Sequence, residues 1–481
     1  MTLIIETPNT RAPERDYILS VVLGEFLGLE WQRVPSDRFD TRITMQGHSG
    51  EILMPDILFQ TPDEDWLTSS SLPVQPLPVW DTSELGLPIT LIDRNLPIIF
   101  GNQNLGPGPL TLDPSSPQPS AISASSQSST FHLPIDIFGS AFFMLSRYEE
   151  VVKSERDEHN RFPAWASLAF QEGFLERPII DEYVELLWAV IKRLWPGIER
   201  KKRTYQVHLT HDVDSVLYGP FAGVPALIKQ MAGDCLKRKE FDLAWKRMKA
   251  VFNSRRGFFD NDPHNTFDFI MSLSEKYGLK SAFYFMTGGC SSRDAAYDIN
   301  MPWIKKLIQS IGERGHEVGI HPSYESYLDS EAIYREFQAL LGVTQECGIR
   351  QNTWGGRQHN LRWSVRQTWR NWAEAGLNYD STLGYAQHAG FRTGTCVEYP
   401  VYDLATRTPL SLRERPLIVM DGTLINSGYM GLDYHESTKI VQNISNMCKL
   451  MKGKFTLLWH NGKLVTRRNR DLYNKIIRII T

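Results

Sequence analysis

The sequence predicts an α/β protein: an irregular (β/α) barrel over residues 204–481, preceded by a mixed α+β N-terminal domain over residues 1–198. Three observations predict it. Beyond Thr204, short apolar runs alternate with segments of helical periodicity, as parallel strands do when helical crossovers join them. About seven such units fit into roughly 275 residues, the scale of one barrel. Ahead of Thr204, apolar runs bounded by Pro, Gly and Asn mix with helical spacing and show no regular alternation.

Taken in chain order, ILMPDILF (52–59) and LPIIFGN (96–102) read as strands. From Gly106 to Thr130 the composition turns to Pro, Ser and Gly, which predicts a surface loop. Residues 135–152 and 179–195 carry apolar residues at helical spacing, and the basic block Arg200–Arg203 marks the boundary. The strand TYQVHLT then runs into HDVDS. Helical stretches follow at 222–231 and 241–252. Next come a helix ending at Gly278, the strand KSAFYFMT, a helix over 301–315 and the strand HEVGIH. Helices over 331–348 and 365–376, the latter closing on Gly376, lead to LNYDST, and the late strands are PLIVM and FTLLWH.

Composition narrows the function classes. The chain has 481 residues, 42% of them hydrophobic and only 22% charged, so wholesale disorder is excluded. A formal net charge of −3 gives no electrostatic case for nucleic acid or an anionic membrane as the main partner. Five cysteines (Cys235, Cys290, Cys347, Cys396 and Cys448) are widely spaced and form no CxxC, as reduced thiols in a reducing compartment do. The N-terminus lacks the basic start, apolar run and small-residue cleavage site of a signal peptide, and no stretch approaches about 18 apolar residues. The expectation is a cytoplasmic protein without a membrane span. Oligomeric state is left open.

Polar groups suited to catalysis sit where five predicted strands stop, and in α/β barrels the following loops converge on that face. Asp212 and Asp214 end the first strand. Two close carboxylates repel unless a cation or a proton lies between them; the ordinary alternative is a loop pair capping the next helix. His321 ends HEVGIH as a possible metal ligand or a hydrogen-bonded core imidazole, with Ser323 and Ser326 beside it. In WGGRQHN, Arg357 and His359 share a face if the segment is extended, and Gly355-Gly356 implies close backbone approach. Asp380 follows a short strand, with Arg392 further along a glycine-rich loop. His460 closes FTLLWH.

In this order the motifs resemble the polysaccharide deacetylase superfamily (carbohydrate esterase family four), over roughly residues 204–465. Strings in the first part such as FFMLSRYEE and GFLERPIIDEY look like an uncharacterised domain that precedes deacetylase-like domains in bacterial proteins associated with surface-polysaccharide assembly. The resemblance implies a divalent metal, Zn²⁺ first, held by Asp214 and His321. It implies Asp212 as general base and His460 as general acid, with Arg357 holding the base and Asp380 tuning the acid. The family's second motif supplies two histidines; here Glu325 stands at the second position, so the third ligand is either His359, the preferred candidate, or Glu325. Ser323, Arg392 and Trp459 are candidate substrate contacts. Trp354, Trp363, Tyr385 and Trp459 suit stacking on sugar faces, although core packing is the commoner use of such residues. The expected activity is removal of an N-acyl group, acetyl in the first instance, from an amino sugar in a surface-polysaccharide precursor. The alternatives are a non-catalytic glycan-binding protein on a degenerate scaffold and an amidohydrolase acting on a non-sugar C–N bond.

Overall fold

The computed structural model describes residues 1–101 and 130–481, so most of the loop expected over Gly106–Thr130 lies outside the described residues. The N-terminal part is built on a five-stranded sheet ordered β2-β1-β3-β4-β7. Its strands are β1 (Thr2–Thr7), β2 (Glu30–Pro35), β3 (Asp40–Met45), β4 (Glu51–Pro55) and β7 (Thr130–His132); a separate ribbon pairs β5 (Val79–Asp81) with β6 (Asn95–Pro97). The alternation of half-exposed and buried residues along β1 and β3 buries one face. The helices Ile137–Leu145 and Ile179–Leu194 belong to this part, the first N-capped by Asp136.

The second part is a nine-stranded sheet ordered β13-β14-β12-β11-β10-β9-β8-β16-β15. Its strands are β8 (Gln206–Val213), β9 (Ser281–Phe285), β10 (Glu317–Ile320), β11 (Gly355–Gly356), β12 (Tyr379–Asp380), β13 (Tyr399–Asp403), β14 (Thr408–Glu414), β15 (Val419–Met420) and β16 (Lys454–Leu458). All neighbours pair in parallel except β13, which pairs antiparallel with β14. The helical crossovers include Phe267–Lys276, Pro302–Glu313, Ser330–Glu346 and Tyr434–Leu450. Asp329 caps the third of these, and an Asp433–Glu436 capping box starts the fourth.

This is the irregular barrel. The strand ladder does not link β15 back to β14, but the backbone ahead of β15 is held to the loop after β12. Leu417 N donates to Leu383 O at 3.1 Å and Gly390 N to Ile418 O at 3.0 Å. The two-residue strand β11 is glycine for a steric reason: a Cβ on Gly356 would run into Ile320 O, and one on Gly355 into Tyr379. Because the strands are parallel, residues at the ends of β8, β10, β11, β12, β15 and β16 emerge on one face. A single buried apolar cluster runs from Leu3 to Ile480, so both sheets share one core.

Candidate active site

Asp214 leaves the end of β8, His321 follows β10, and His359 follows β11 by three residues. Their ligand atoms all lie within 4.8 Å of one another. Asp214 Oδ1 is 3.2 Å from His321 Nε2 and 4.0 Å from His359 Nε2. The Asp214 side chain is partly exposed, yet Oδ1 is shut off from solvent and has no hydrogen-bond partner.

The imidazoles are oriented from behind. His321 Nδ1 lies 2.6 Å from Arg357 O, and a carbonyl can only accept, so Nδ1 carries the hydrogen and Nε2 faces Asp214. His359 Nδ1 lies 3.4 Å from Asp294 Oδ1, again turning Nε2 inward. Neutral imidazole lone pairs facing a carboxylate need a proton or a cation between them. Burial opposes charge on His321, but the Asp212 and Asp214 carboxylates outweigh it and raise its pKa. Burial likewise opposes charge on Asp214, but the imidazoles of His321, His460 and His359 hold its carboxyl well below the usual range. One carboxylate and two nitrogens with an orphaned inward oxygen fit a first-row divalent ion such as Zn²⁺.

The general-base candidate is clamped. Arg357 Nη1 donates to Asp212 Oδ1 at 2.8 Å and to Thr210 Oγ1 at 3.0 Å, while Nε and Nη2 donate to Ser381 O and Oγ. The guanidinium is fully buried, and Asp212 Oδ2 stays on the cluster side, 3.9 Å from His321 Nε2.

His460 reaches the same cleft. Its Nε2 lies 3.7 Å from Asp214 Oδ2, and its Nδ1 is 2.7 Å from Asp421 Oδ1. The His460 backbone N also donates to Asp421 Oδ2 at 3.0 Å. Burial disfavours the imidazolium, but the Asp421 carboxylate overrides it and raises the pKa to about 9.

Asp212, Asp214, His321, His359 and His460 line a cleft of about 350 Å³ together with Arg161, Asn360, Tyr429 and Lys463. A larger cavity of about 650 Å³ includes the opposite strand ends, at Gln206, Glu317 and Lys454. It contains none of the cluster residues, and its Arg415 and Lys454 are already paired with Glu398.

Four expectations are corrected, at Asp380, Ser323, Arg392 and Trp459, and the alternative ligand Glu325 is set aside in favour of the preferred His359. Asp380 does not touch His460: it accepts from Thr382 N at 2.9 Å and from the Thr382 hydroxyl, and burial raises its pKa. The carboxylate on the histidine is Asp421, at the end of β15. Glu325 points away to Arg362 at 2.9 Å, its side chain 70% exposed, so the third member of the cluster is His359. Ser323 is buried and occupied by Glu336, which accepts from its backbone N at 2.8 Å and from its hydroxyl at 2.5 Å. Arg392 is buried against Glu150 of the N-terminal part, with bonds of 3.0 and 2.7 Å. Trp459 is fully buried and packs against Tyr473, because alternation along β16 turns it away from the cleft where His460 faces it. Trp363 and Tyr385 are core as well, and Trp354 packs on Phe337.

Sequence reasoning also missed Arg161, Asp294 and Asp421. Asp421 carried a usable signal, an acidic residue directly after the apolar run PLIVM. Arg161 and Asp294 had none, since each reaches the site from a loop that follows no motif strand.

The Arg161 loop grips both histidine-bearing loops. Arg161 Nη1 donates to Asn360 O at 2.9 Å, and Asp157 holds the same guanidinium. Asn160 Nδ2 donates to Tyr327 OH at 2.5 Å, His159 Nδ1 lies 2.9 Å from Tyr324 OH, and Arg362 Nε donates to His159 O at 3.0 Å.

No curated protein sequence matches the chain. Among solved structures it is similar to a Mycobacterium smegmatis protein described as a polysaccharide deacetylase, at 15% identity, covering 58% of this chain and 84% of that one, with a TM-score of 0.37. It is also similar to Puue allantoinase at 12% identity, covering 59% and 85%, TM-score 0.35. The polysaccharide deacetylase Bc1974 from Bacillus cereus aligns at 10% identity over 58% and 86%, TM-score 0.25. Residues 3–196 match a family of unknown function, DUF7033.

Proposed function

We propose that the protein is a divalent-metal-dependent hydrolase that removes an N-acyl group, acetyl in the first instance, from an amino sugar in a surface-glycan precursor. The observation that carries the reading is the convergence of Asp214, His321 and His359 within 4.8 Å, with the Arg357-clamped Asp212 and the Asp421-paired His460 lining the same cleft. A base and an acid beside a cation site are what hydrolysis of an amide calls for. The same reading takes residues 1–198 and 204–481 as two domains, the first bracing the cleft of the second.

A divalent ion held by Asp214, His321 and His359 supplies Lewis acidity, polarising the acyl carbonyl and acidifying water. Asp212, with Oδ1 fixed by Arg357, takes the proton of the attacking water on Oδ2. His460, charged at neutral pH, donates its Nε2 proton to the amine nitrogen as the C–N bond breaks. Asp421 keeps that imidazole oriented and protonated until then.

The test is acetate release from N-acetylated sugars, in nucleotide-linked, lipid-linked and oligomeric forms, by metal-replete and metal-stripped protein. Release that disappears with the metal is expected. No release from any of the three classes, with Asp212→Asn indistinguishable from wild type, refutes the reading. Metal binding is separately checked by equilibrium titration: His359→Ala loses affinity by one or more orders of magnitude, and Glu325→Ala leaves it unchanged.

A further inference from the structure

Between β8 and the helix Phe267–Lys276 the barrel carries a helical insertion, with helices Val224–Ala232 and Phe241–Ser254 joined by the helical turn Gly233–Arg238. It leaves from the strand end that bears Asp212 and Asp214. Its root is fixed: Tyr218 N and Gly219 N donate to Asp262, and Ser215 Oγ lies 2.8 Å from His264 Nδ1.

The outer face of this insertion is apolar where a solvated helix is polar. In Phe241–Ser254 the residues Phe241, Trp245, Met248 and Phe252 fall at i, i+4, i+7 and i+11, one stripe on a 3.6-residue helix. All four are exposed, Phe241 by 66%, Trp245 by 54% and Phe252 by 57%. The helix has another face for its own packing, with Leu243, Ala244 and Ala250 buried. Val224, Ile228 and Leu236, on the segment that packs beside this helix, are exposed as well.

The same segment is basic. Residues 221–258 hold nine Lys and Arg against three Asp and Glu, in a chain whose formal net charge is −3. Its five lysines, Arg255 and Arg256 are exposed and join no ion pair among the described residues. Lys249 Nζ sits 5.3 Å from the Trp245 ring centroid, and the Arg256 guanidinium 4.7 Å from that of Phe252, so cations flank the stripe.

We propose that this helical hairpin docks the protein on an anionic lipid bilayer, lying in the headgroup region with its aromatic stripe in the acyl boundary. Apolar and aromatic residues on one face with Lys and Arg around them is the composition of interfacial helices, and both components add to binding. A second copy of the chain is a poor occupant, because pairing this face with itself sets one basic segment against another. Nucleic acid would meet the cations and leave Val224, Ile228 and Met248 without a role. Among the described residues no helix is long and apolar enough to cross a membrane, and the proposed attachment is to the bilayer surface. Resting on the hydrolase reading, the location of the hairpin beside the Asp212–Asp214 strand end selects a lipid-linked saccharide as substrate class.

The experiment is co-sedimentation of the full chain with vesicles of phosphatidylcholine plus phosphatidylglycerol and with phosphatidylcholine alone, at low and high salt. Wild type pellets with the anionic vesicles, less so at high salt, and stays in solution with the neutral ones. Trp245→Glu with Phe252→Glu, and separately Lys246→Glu with Lys249→Glu, each weaken binding by about tenfold or more. Circular dichroism, metal content and hydrolysis of a water-soluble N-acetylated sugar are read on the same samples and stay as in wild type. A hydrolase reading that is wrong leaves the vesicle result intact, so the two fail separately. Wild type that remains in solution with anionic vesicles at low salt overturns the proposal. So does binding that neither double variant weakens, or a solution dimer that the Trp245 and Phe252 changes dissociate.

Discussion

His460 keeps its proton because Asp421 lies 2.7 Å from Nδ1, offsetting the burial that opposes the charge. A general acid must start protonated, and a histidine raised to about 9 is charged below that pH and neutral above it. The acid form is therefore present at neutral pH and lost as pH rises through the raised value. Asp421→Asn removes the carboxylate, and the alkaline limb of kcat/KM moves down toward the ordinary histidine value of 6.5; an unmoved limb assigns the acid elsewhere. At Asp212, Arg357 engages Oδ1 and leaves Oδ2 on the cluster side, the oxygen that the proposed base role uses. Asp212→Asn lowers kcat by about 10²–10⁴-fold with bound metal retained, measured by turnover beside metal analysis. Loss of metal in that variant would make Asp212 a ligand instead.

At the scale of elements, the cluster depends on loops that the barrel strands do not define alone. Asn360 and Leu361 both adopt left-handed backbone angles, with φ of 57° and 56°, immediately after His359. Strain of that kind persists where the surroundings over-determine it. The surroundings here are Arg161 on Asn360 O and Arg362 on His159 O, contacts made by the N-terminal loop. Arg161→Ala is expected to weaken metal affinity by about 10–100-fold, the range for partners that orient ligands. The check is competitive chelator titration, with the melting temperature of the metal-free protein as the control for folding. An unchanged affinity would mean that His359 is positioned by the barrel alone.

Across the whole molecule, the two sheets are joined through buried charge as well as apolar packing. Arg392, from the loop after β12, pairs with Glu150, and Arg147 donates to the same carboxylate and to Arg392 O. With these side chains at most 2% exposed, removing Arg392 leaves buried Glu150 only the guanidinium of Arg147, which Glu149 already shares. Arg392→Ala should cost about 3–5 kcal/mol of stability, read by denaturant unfolding. A loss below about 1 kcal/mol would show that solvent reaches the pair. The charge of the chain is also uneven at this scale: the near-neutral total conceals the basic hairpin at residues 221–258, which a whole-chain count cannot register.

Much of the barrel was legible because its strands are short apolar runs stopped by polar residues, a pattern fixed locally by burial. The helix expected over 179–195 is Ile179–Leu194, and the one over 331–348 is Ser330–Glu346. The same local logic placed Asp212, Asp214, His321, Arg357, His359 and His460 at or just beyond strand ends. Sequence raised His359 and Glu325 as alternatives and preferred His359 for its place beside Arg357, but the choice itself depends on where two loops meet. Tertiary structure made it: Glu325 faces solvent and Arg362, while His359 turns inward with Asp294 behind it. It likewise exchanged Asp380 for Asp421 and moved Arg392 and Trp459 into packing. Periodicity along a chain reports which side chains are buried, but which buried groups touch is settled by how strands far apart in sequence lie side by side.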